Sequence, residues 1–487
     1  GGACRLGRCV DARVVDGPGF ATAAHRRQYV ERRRFEYATF LGHRRARQRS
    51  AVTDAAFEAL ATSDAVGFWR SMGRIIDRTE DGHARRPTVS GASAVSPGFC
   101  LLEGEADLLA GAPRRPLVSR AVTGHPAGDL VRPGDVLVRV DDVDVDDWIG
   151  DLDGAFQFSG DPEVRRFAEV LQIGSFAALA GLKLTFARCD LPCVAPIEFD
   201  VDFAELTAPV WAGQPLAWRG DRVPCDARFD RIDAPNVGAT DHVAFEVVDG
   251  VTVLQFNGTV GDAFGDYASW KTSIANALFA GPERIVLDQR RGDGGSFQGL
   301  YYLTSFFFAP GTEPIDVVTP WLFEREPDPT LLGALVSCAR DGGGLGCGGA
   351  GWVTRAQLAP EAPAAGVLRE SKTAILVGLD VSGNDWLTDH LRRRRDDPDL
   401  TRVFGPVPTY GAFGQVTVLP LHDVGYAGPR VQWTGGFVVR SPADALNDPL
   451  DGRGVRPDVV VYQTQSDALA GFDTQKKEAL QWLESED

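Results

Sequence analysis

Apolar residues fall along this chain in three rhythms, and each predicts a different kind of region. Over residues 20–80 they recur at helix-like intervals with few Gly or Pro between them: Tyr29, Phe35, Phe40 and Leu41, then Phe57, Leu60, Val66, Phe68, Trp69, Ile75 and Ile76. That spacing predicts helices. From about residue 97 the texture shortens to strands and turns. Residues 130–145, LVRPGDVLVRVDDVDV, alternate apolar and polar positions around a Pro-Gly-Asp turn, the pattern of a half-buried strand pair. Residues 161–181 read as a helix inserted into this β-rich stretch, and 182–186 return to strand. Residues 205–240, punctuated by Pro and Asp, read as a linker. Beyond 243 the buried-strand runs 251–256, 284–287 and 374–377 alternate with helical stretches at 262–280 and 384–395. Such alternation predicts a layered α/β domain. No internal repeat is visible.

Composition narrows the class. At roughly 100–200 residues per domain, 487 residues suggest about three domains. With 44% hydrophobic and 24% charged residues, the chain reads as globular with a sizeable core rather than disordered. Its longest apolar stretches, such as 176–186 and 300–310, are far shorter than the roughly 20 residues of a spanning helix, so no integral membrane segment is expected. A net charge of −17 argues against a nucleic-acid partner. Residues 1–50 depart from that balance, with twelve Arg against four acids, and predict a basic arm docked on an acidic face of its own protein.

The eight cysteines include the close pairs Cys4/Cys9, Cys189/Cys193 and Cys338/Cys347. An even count with short loops suits disulfides in an oxidising compartment. The pairs lack C-x-x-C spacing and an accompanying His cluster, so no metal site is predicted. A start at Gly-Gly, with neither Met nor an apolar leader, fits an exported chain whose leader has been removed. An extracytoplasmic location is therefore expected.

Candidate chemistry concentrates in the α/β region. In TAILVGLDVSGNDWLTDH a buried strand feeds a turn with Ser382-Gly383 and then a helix. A Ser there lies near free backbone N–H groups and the positive end of the helix dipole, a place where an oxyanion can be stabilised. The plainer reading makes Ser382 the helix N-cap, with Asp385 completing a capping box. In IVLDQRRGDGGS a strand ends at Asp288-Gln289-Arg290, and Gly292, Gly294 and Gly295 follow. Those glycines can supply further N–H donors or form an ordinary loop. They fit neither G-x-x-x-x-G-K-[ST] nor G-x-G-x-x-G. His83 follows an Asp-Gly turn, and Asp451 and Arg453 lead into a last strand.

Taken in order, these pieces resemble the tail-specific, or C-terminal-processing, serine peptidases. The matching elements are the Gly-rich loop 288–295, the Ser-x-x-acid of 382–385, the G-x-x-x-T-x-G of 405–411 with Thr409, and the G-V-x-P-D-V-V-V of 454–461. GDVLVRVDDVDV is similar to the PDZ module of these peptidases. The resemblance spans roughly 65–487. It implies an N-terminal helical region (1–90), a PDZ-like β-rich domain with a helical insertion (91–205), a linker (206–240) and a crotonase-like α/β peptidase core (241–487). One branch of the family uses a Ser–Lys dyad, with Lys directly after the Gly of T-x-G. That position is Ala412 here, and none of the five lysines, Lys183, Lys271, Lys372, Lys476 and Lys477, fits the role. The other branch, resembling the tricorn core protease, uses Ser, His and an acid, and this sequence offers His83 and Asp451 in those places.

The resemblance therefore implies a serine peptidase acting on a peptide or protein substrate, with Ser382 as nucleophile, His83 as general base and Asp451 as third member. Gly383 N–H, with Gly294 or Gly295 N–H, would form the oxyanion hole. Asp385 is expected to stabilise the helix start. His422 and His390 are fallback bases, with His390 expected to be solvated. A peptide C-terminus would be captured at residues 96–102 (SPGFCLL), around Gly98 and Phe99. Cys100 in that loop is expected to face a distant cysteine such as Cys225. No cofactor is implied. The competing reading is a catalytically inactive peptide- or ligand-binding protein of the same fold.

Overall fold

The computed structural model describes residues 2–5, 8–11, 57, 61, 97–109, 114–151, 161–193, 195–210, 243–261, 266–290, 292, 294–309, 312, 317–320, 366–380, 382–394, 400–412, 414–419, 431–439 and 454–485. Of the basic arm only residues 2–5 and 8–11 are described, and of the helices expected over 20–80 only Phe57 and Ala61; the rest lies outside the described residues. At the N-terminus β1 (Gly2–Arg5) and β2 (Arg8–Asp11) pair antiparallel, with Cys4 opposite Cys9 in register.

A β-rich unit follows. Its strands are β3 (Phe99–Glu105), β4 (Arg115–Ala121), β5 (Val136–Val140), the short β6 (Val143–Asp144), β7 (Lys183–Arg188) and β8 (Ile197–Asp202). Helices α1 (Val145–Asp151) and α2 (Pro162–Ala180) cross between β6 and β7. Helix α2 starts where Asp161 accepts from the Glu163 and Val164 N–H groups, and it ends at the left-handed Gly181, a capped start and stop. Phe99, Leu101, Leu137, Leu184 and Phe186 from the sheet meet Val170, Ile173 and Ala177 of α2 in one core.

The Pro-Gly-Asp turn expected within 130–145 is present and the strand after it is β5, but the strand expected before it is not formed. Residues 130–132 are not a strand, and β5 turns at Asp141-Asp142 into β6. The buried Asp135 explains this: its carboxylate accepts from the Arg132 N–H and pairs with Arg188 on β7, which fixes the Pro133-Gly134 corner. Helix α3 (Phe203–Val210) carries regular structure five residues into the stretch expected as linker, with Phe203 buried in the β-rich core.

The C-terminal unit is a six-stranded sheet in the order β17-β14-β13-β11-β10-β9. Its strands are β9 (Val243–Val248), β10 (Val251–Phe256), β11 (Arg284–Asp288), β13 (Lys372–Leu376), β14 (Thr401–Gly405) and β17 (Val459–Val460). All neighbours are parallel except β9/β10. A separate sheet holds β12 (Val317–Pro320), β15 (Gly414–Leu419) and β16 (Val431–Val439). Helices α4 (Tyr267–Leu278), α5 (Phe297–Ser305) and α6 (Gly383–Arg392) cover one face of the large sheet through Trp270, Leu303, Phe306 and Leu387. The other face packs on Ala479 and Leu483 of the last helix, α8 (Thr474–Glu484). Burial on both faces explains the uninterrupted apolar runs of the central strands.

The two units interlock. After β17 the chain forms β18 (Gln463–Thr464), which pairs parallel with β3 of the β-rich sheet, and then α7 (Gln465–Ala470). Leu102, Val164 and Phe167 of the β-rich unit also cluster with Val407 and Tyr410 from the loop after β14.

Candidate active site

Strands β10, β11, β13 and β14 run parallel and therefore release their following loops at one edge of the sheet. Ligands of open α/β sheets bind at that carboxyl edge. The loops bring together Thr259, Gly294-Gly295, Ser382-Gly383 and Thr409–Ala412, residues scattered over more than 150 positions of sequence.

Ser382 joins the β13 loop to α6 with φ 56 and ψ −117. Only four described residues other than glycine have positive φ, and the other three, Asp141, Asp142 and Asp249, sit in turns. Such a conformation in a non-glycine residue stores of order 1–3 kcal/mol of strain and gathers at functional sites. It also decides what the side chain does. An ordinary N-cap has extended backbone that aims its oxygen at the N2 or N3 amide; Ser382 does not, and its side chain makes no cap bond. Half of the expected capping box remains, because the Asp385 carboxylate does accept from the Ser382 N–H. Ser382, partly buried as a residue, is thus left at the helix mouth with its hydroxyl outside the cap.

Gly383 lies against the glycine loop. A Cβ on Gly383 would stand 2.7 Å from Thr259 Oγ1 and 3.4 Å from the Gly295 nitrogen. Gly295 has φ +131, and a Cβ there would stand 2.0 Å from Thr259 O, so only glycine fits. The Thr259 backbone brackets the loop: its N–H donates to Gly294 O at 2.8 Å, and Ser296 N–H donates to Thr259 O at 2.6 Å. Gly294 N–H is already engaged, donating to Asn384 Oδ1 at 3.0 Å. Ser296 caps α5 by accepting from Gln298 N–H, and Phe297 packs on Trp386 with ring centroids 4.2 Å apart. The N-termini of α5 and α6 therefore lie near each other, with Ser382 at the start of α6.

Asp385 ties this junction to the next strand end. It is fully buried and accepts from Gly411 N–H at 3.2 Å and Ala412 N–H at 2.9 Å. Thr409 completes the tie: its hydroxyl bonds to Asp385 and accepts from Val455 N–H at 2.8 Å. Burial pushes the Asp385 carboxyl up from 3.8 to about 7, while the Thr409 hydroxyl and the Ala412, Gly411 and Ser382 amides pull the other way. The role expected for Asp385, holding the helix start, agrees with these contacts.

Sequence reasoning missed the ion pairing beneath the glycine loop. Arg290 is 2% exposed and grips Asp288 through Nε (3.0 Å) and Nη2 (2.9 Å). Its Nη1 reaches Asp473, the N-cap of α8, and Gln475. Gln475 in turn donates to Val377 O and Phe404 O at the ends of β13 and β14. The Asp288-x-Arg290 motif was visible, but its partner lies 183 residues away, where no local pattern reaches.

His83, Asp451 and His422 lie outside the described residues. His390, expected to be solvated, is buried at 1% exposure, with its ring 5.8 Å from that of Tyr301. Helix α6 is enclosed by α5 and the sheet on nearly every side, which leaves no solvated face for it. All five lysines are engaged elsewhere. Lys183 pairs with Asp142, Lys476 with Glu246 and Lys477 with Asp467; Lys372 donates to Trp482 O and Ser485 O, and Lys271 lies over Tyr267.

Gly98 and Phe99 open β3, far from open solvent. A Cβ on Gly98 would stand 2.0 Å from His125 Nδ1, and Phe99 packs on Phe186 and Phe203. Cys189 and Cys193 form a disulfide. Cys100 is also disulfide-bonded, and its expected partner Cys225 lies outside the described residues. Among the described residues there is no cluster of metal-ligating side chains and no helix long and apolar enough to cross a membrane.

With this geometry in place, comparison with known proteins identifies the fold. No family model matches the chain, and no curated protein matches it in sequence. Among solved structures, mature CPAF is 14% identical, with 95% of this chain and 98% of that chain covered and a TM-score of 0.57. Mature CPAF complexed with lactacystin is 13% identical over the same shares, with a TM-score of 0.56. The photosystem II D1 C-terminal processing protease gives 13% identity over 90% of this chain and 93% of that one, at a TM-score of 0.39. These neighbours are tail-specific proteases, and the likeness does not separate the branches of that family. At such identities the likeness to the two CPAF structures, with TM-scores above 0.5, speaks for a shared mixed α/β fold.

Proposed function

We propose that this chain is a serine peptidase that cleaves peptides or protein C-terminal segments through an acyl-enzyme, built on a crotonase-like core with a PDZ-like module at 91–205. The observation that carries this reading is the left-handed Ser382, whose hydroxyl is withheld from helix capping beside two neighbouring helix N-termini. Ser382 Oγ attacks the scissile carbonyl carbon while the His83 imidazole takes its proton. The carbonyl oxygen becomes an oxyanion, held by the Gly383 and Gly295 N–H groups; Gly294 N–H, bonded to Asn384, is left out. Collapse expels the amine, which takes the proton from His83. Water then attacks the acyl-enzyme by the same route and frees Ser382. Asp451 orients the imidazole and stabilises its cation. A Ser–Lys dyad is disfavoured, since Ala412 is fully buried in the position that branch gives to Lys and every lysine has another partner. The disulfides suit an extracytoplasmic setting. The module would present substrate near Gly98 and Phe99, where a bound carboxylate must displace the His125 ring.

Hydrolysis of a dye-labelled unstructured protein, followed from pH 6 to 8, tests the reading. Wild type is expected to turn over with a rate that rises through the imidazole range near about 6.5. Ser382→Ala and His83→Ala are each expected to lower turnover by about 10⁴-fold or more. Folded wild type that retains peptide without cleaving it would instead identify the non-catalytic binding protein.

A further inference from the structure

Thr259 was singled out neither by the sequence nor by the mechanism above. It follows β10 in the loop Asn257–Val260 and is 2% exposed. Its backbone pins the Gly294–Ser296 segment from both sides. Its hydroxyl, in contrast, is buried with no hydrogen-bond partner among the described residues. That oxygen points at Gly383: it lies 2.7 Å from where a Cβ on Gly383 would stand, and the Gly295 nitrogen lies 3.4 Å from the same point. A buried hydroxyl without a partner costs about 1–3 kcal/mol, so a fold keeps one only where something offsets the loss. Val has the same shape and carries no such penalty at this position.

The geometry points to Thr259 as a third donor of the oxyanion pocket, its hydroxyl bonding to the substrate carbonyl oxygen as that oxygen gains negative charge between Gly383 and Gly295. This rests on the peptidase reading above. In the resting chain the hydroxyl faces the two donor peptides and is closed off. The bond forms on substrate entry, as active-site hydrogen bonds commonly tighten only in the complex. The same crowding explains why residue 383 is glycine: any side chain would occupy the space that the hydroxyl and the oxyanion share.

The test compares Thr259→Val and Thr259→Ser with wild type in the full chain. The readouts are the second-order rate of labelling by a fluorophosphonate, whose phosphoryl oxygen occupies the oxyanion pocket, and Tm. Thr259→Val is expected to label about tenfold or more slowly, since one missing donor of this kind costs up to about 10²–10³. Its Tm should be unchanged or raised, because an unpartnered hydroxyl has been removed. Thr259→Ser should return to within about threefold of wild type, having regained a hydroxyl donor. Labelling of Thr259→Val at the wild-type rate, or of Thr259→Ser as slowly as Thr259→Val, overturns the assignment. So does a slow Thr259→Val with a lowered Tm, which would give the hydroxyl a structural role. Wild type that is folded and does not label overturns the peptidase reading itself, and this assignment with it.

Discussion

Among the loops of this molecule that hold left-handed backbone, two use it for opposite ends. At the start of β3, Gly98 takes φ +80 so that the His125 ring can lie over it, while Phe99 sinks into a cluster with Phe186 and Phe203. Further along β3, at Gly104 and Glu105, the chain's own β18 has added as a parallel neighbour. Packing absorbs every unusual feature there. At the carboxyl edge of the large sheet a serine joins the glycines with positive φ, its hydroxyl is kept from capping, and the neighbouring Thr259 hydroxyl has no partner among the described residues. Strain carried by a glycine is explained by what it lets pack. Strain carried by a serine, beside polar groups that packing leaves unsatisfied, asks for a ligand. The cluster of Leu102, Val164, Phe167, Val407 and Tyr410 joins the two regions physically.

The sharpest way to break this contrast is to loosen the support under the second loop. Arg290→Met leaves the buried Asp288 and Asp473 carboxylates unpaired and should cost about 3–5 kcal/mol in urea unfolding. A loss below about 1 kcal/mol would show that this pairing is not what fixes the glycine loop. Next comes a paired comparison of two glycines that both meet an obstacle at 2.0 Å. Gly98→Ala and Gly295→Ala should each destabilise by about 1–3 kcal/mol from backbone strain and crowding. Only Gly295→Ala should slow fluorophosphonate labelling, by about 10²-fold or more. Equal labelling rates in the two variants would erase the distinction between the loops.

The tie through Asp385 gives a pH signature. Its carboxyl titrates at about 7 in the fold against 3.8 ordinarily, so between those values the native state holds a proton that the unfolded chain has released. This contribution to stability is fully present below the unfolded value and is lost as pH rises through the folded one. From pH 4.5 to 8, the Tm of wild type should therefore fall relative to that of Asp385→Asn. Parallel Tm profiles would show that Asp385 is ionised throughout. The smallest effect is expected from Ser382→Gly, which relieves the positive φ and should raise stability by about 1 kcal/mol even as it removes the proposed nucleophile. A lowered Tm would mean that the serine side chain is needed for packing.

Local rhythm made much of the fold legible. The run 251–256 is β10, the inserted helix over 161–181 is α2, and the strand–Ser–helix order around Ser382 is as read. The misreadings share a cause, which is a partner distant in sequence. Residues 130–132 read as the strand before the Pro-Gly-Asp turn, but Arg132 N–H donates to Asp135, which Arg188 holds from β7, and they join the corner instead. His390 sits on a helix rich in polar residues, yet α5 and the sheet enclose it. Thr259 lies in FNGTV, which carries no signal of its own. It gains meaning only when three loops meet. The capping box at Ser382 was half legible, because sequence shows which side chains can cap but not the φ that turns one of them away.

The central claim is that Ser382 is a reactive serine assembled by the carboxyl ends of parallel strands. Its most direct test is to expose the folded full chain to a fluorophosphonate at pH 7.5 and map the adduct by peptide mass spectrometry. A single adduct on Ser382, absent after prior thermal unfolding, is the expected result. An adduct on a different serine, or none on the folded chain, would contradict it.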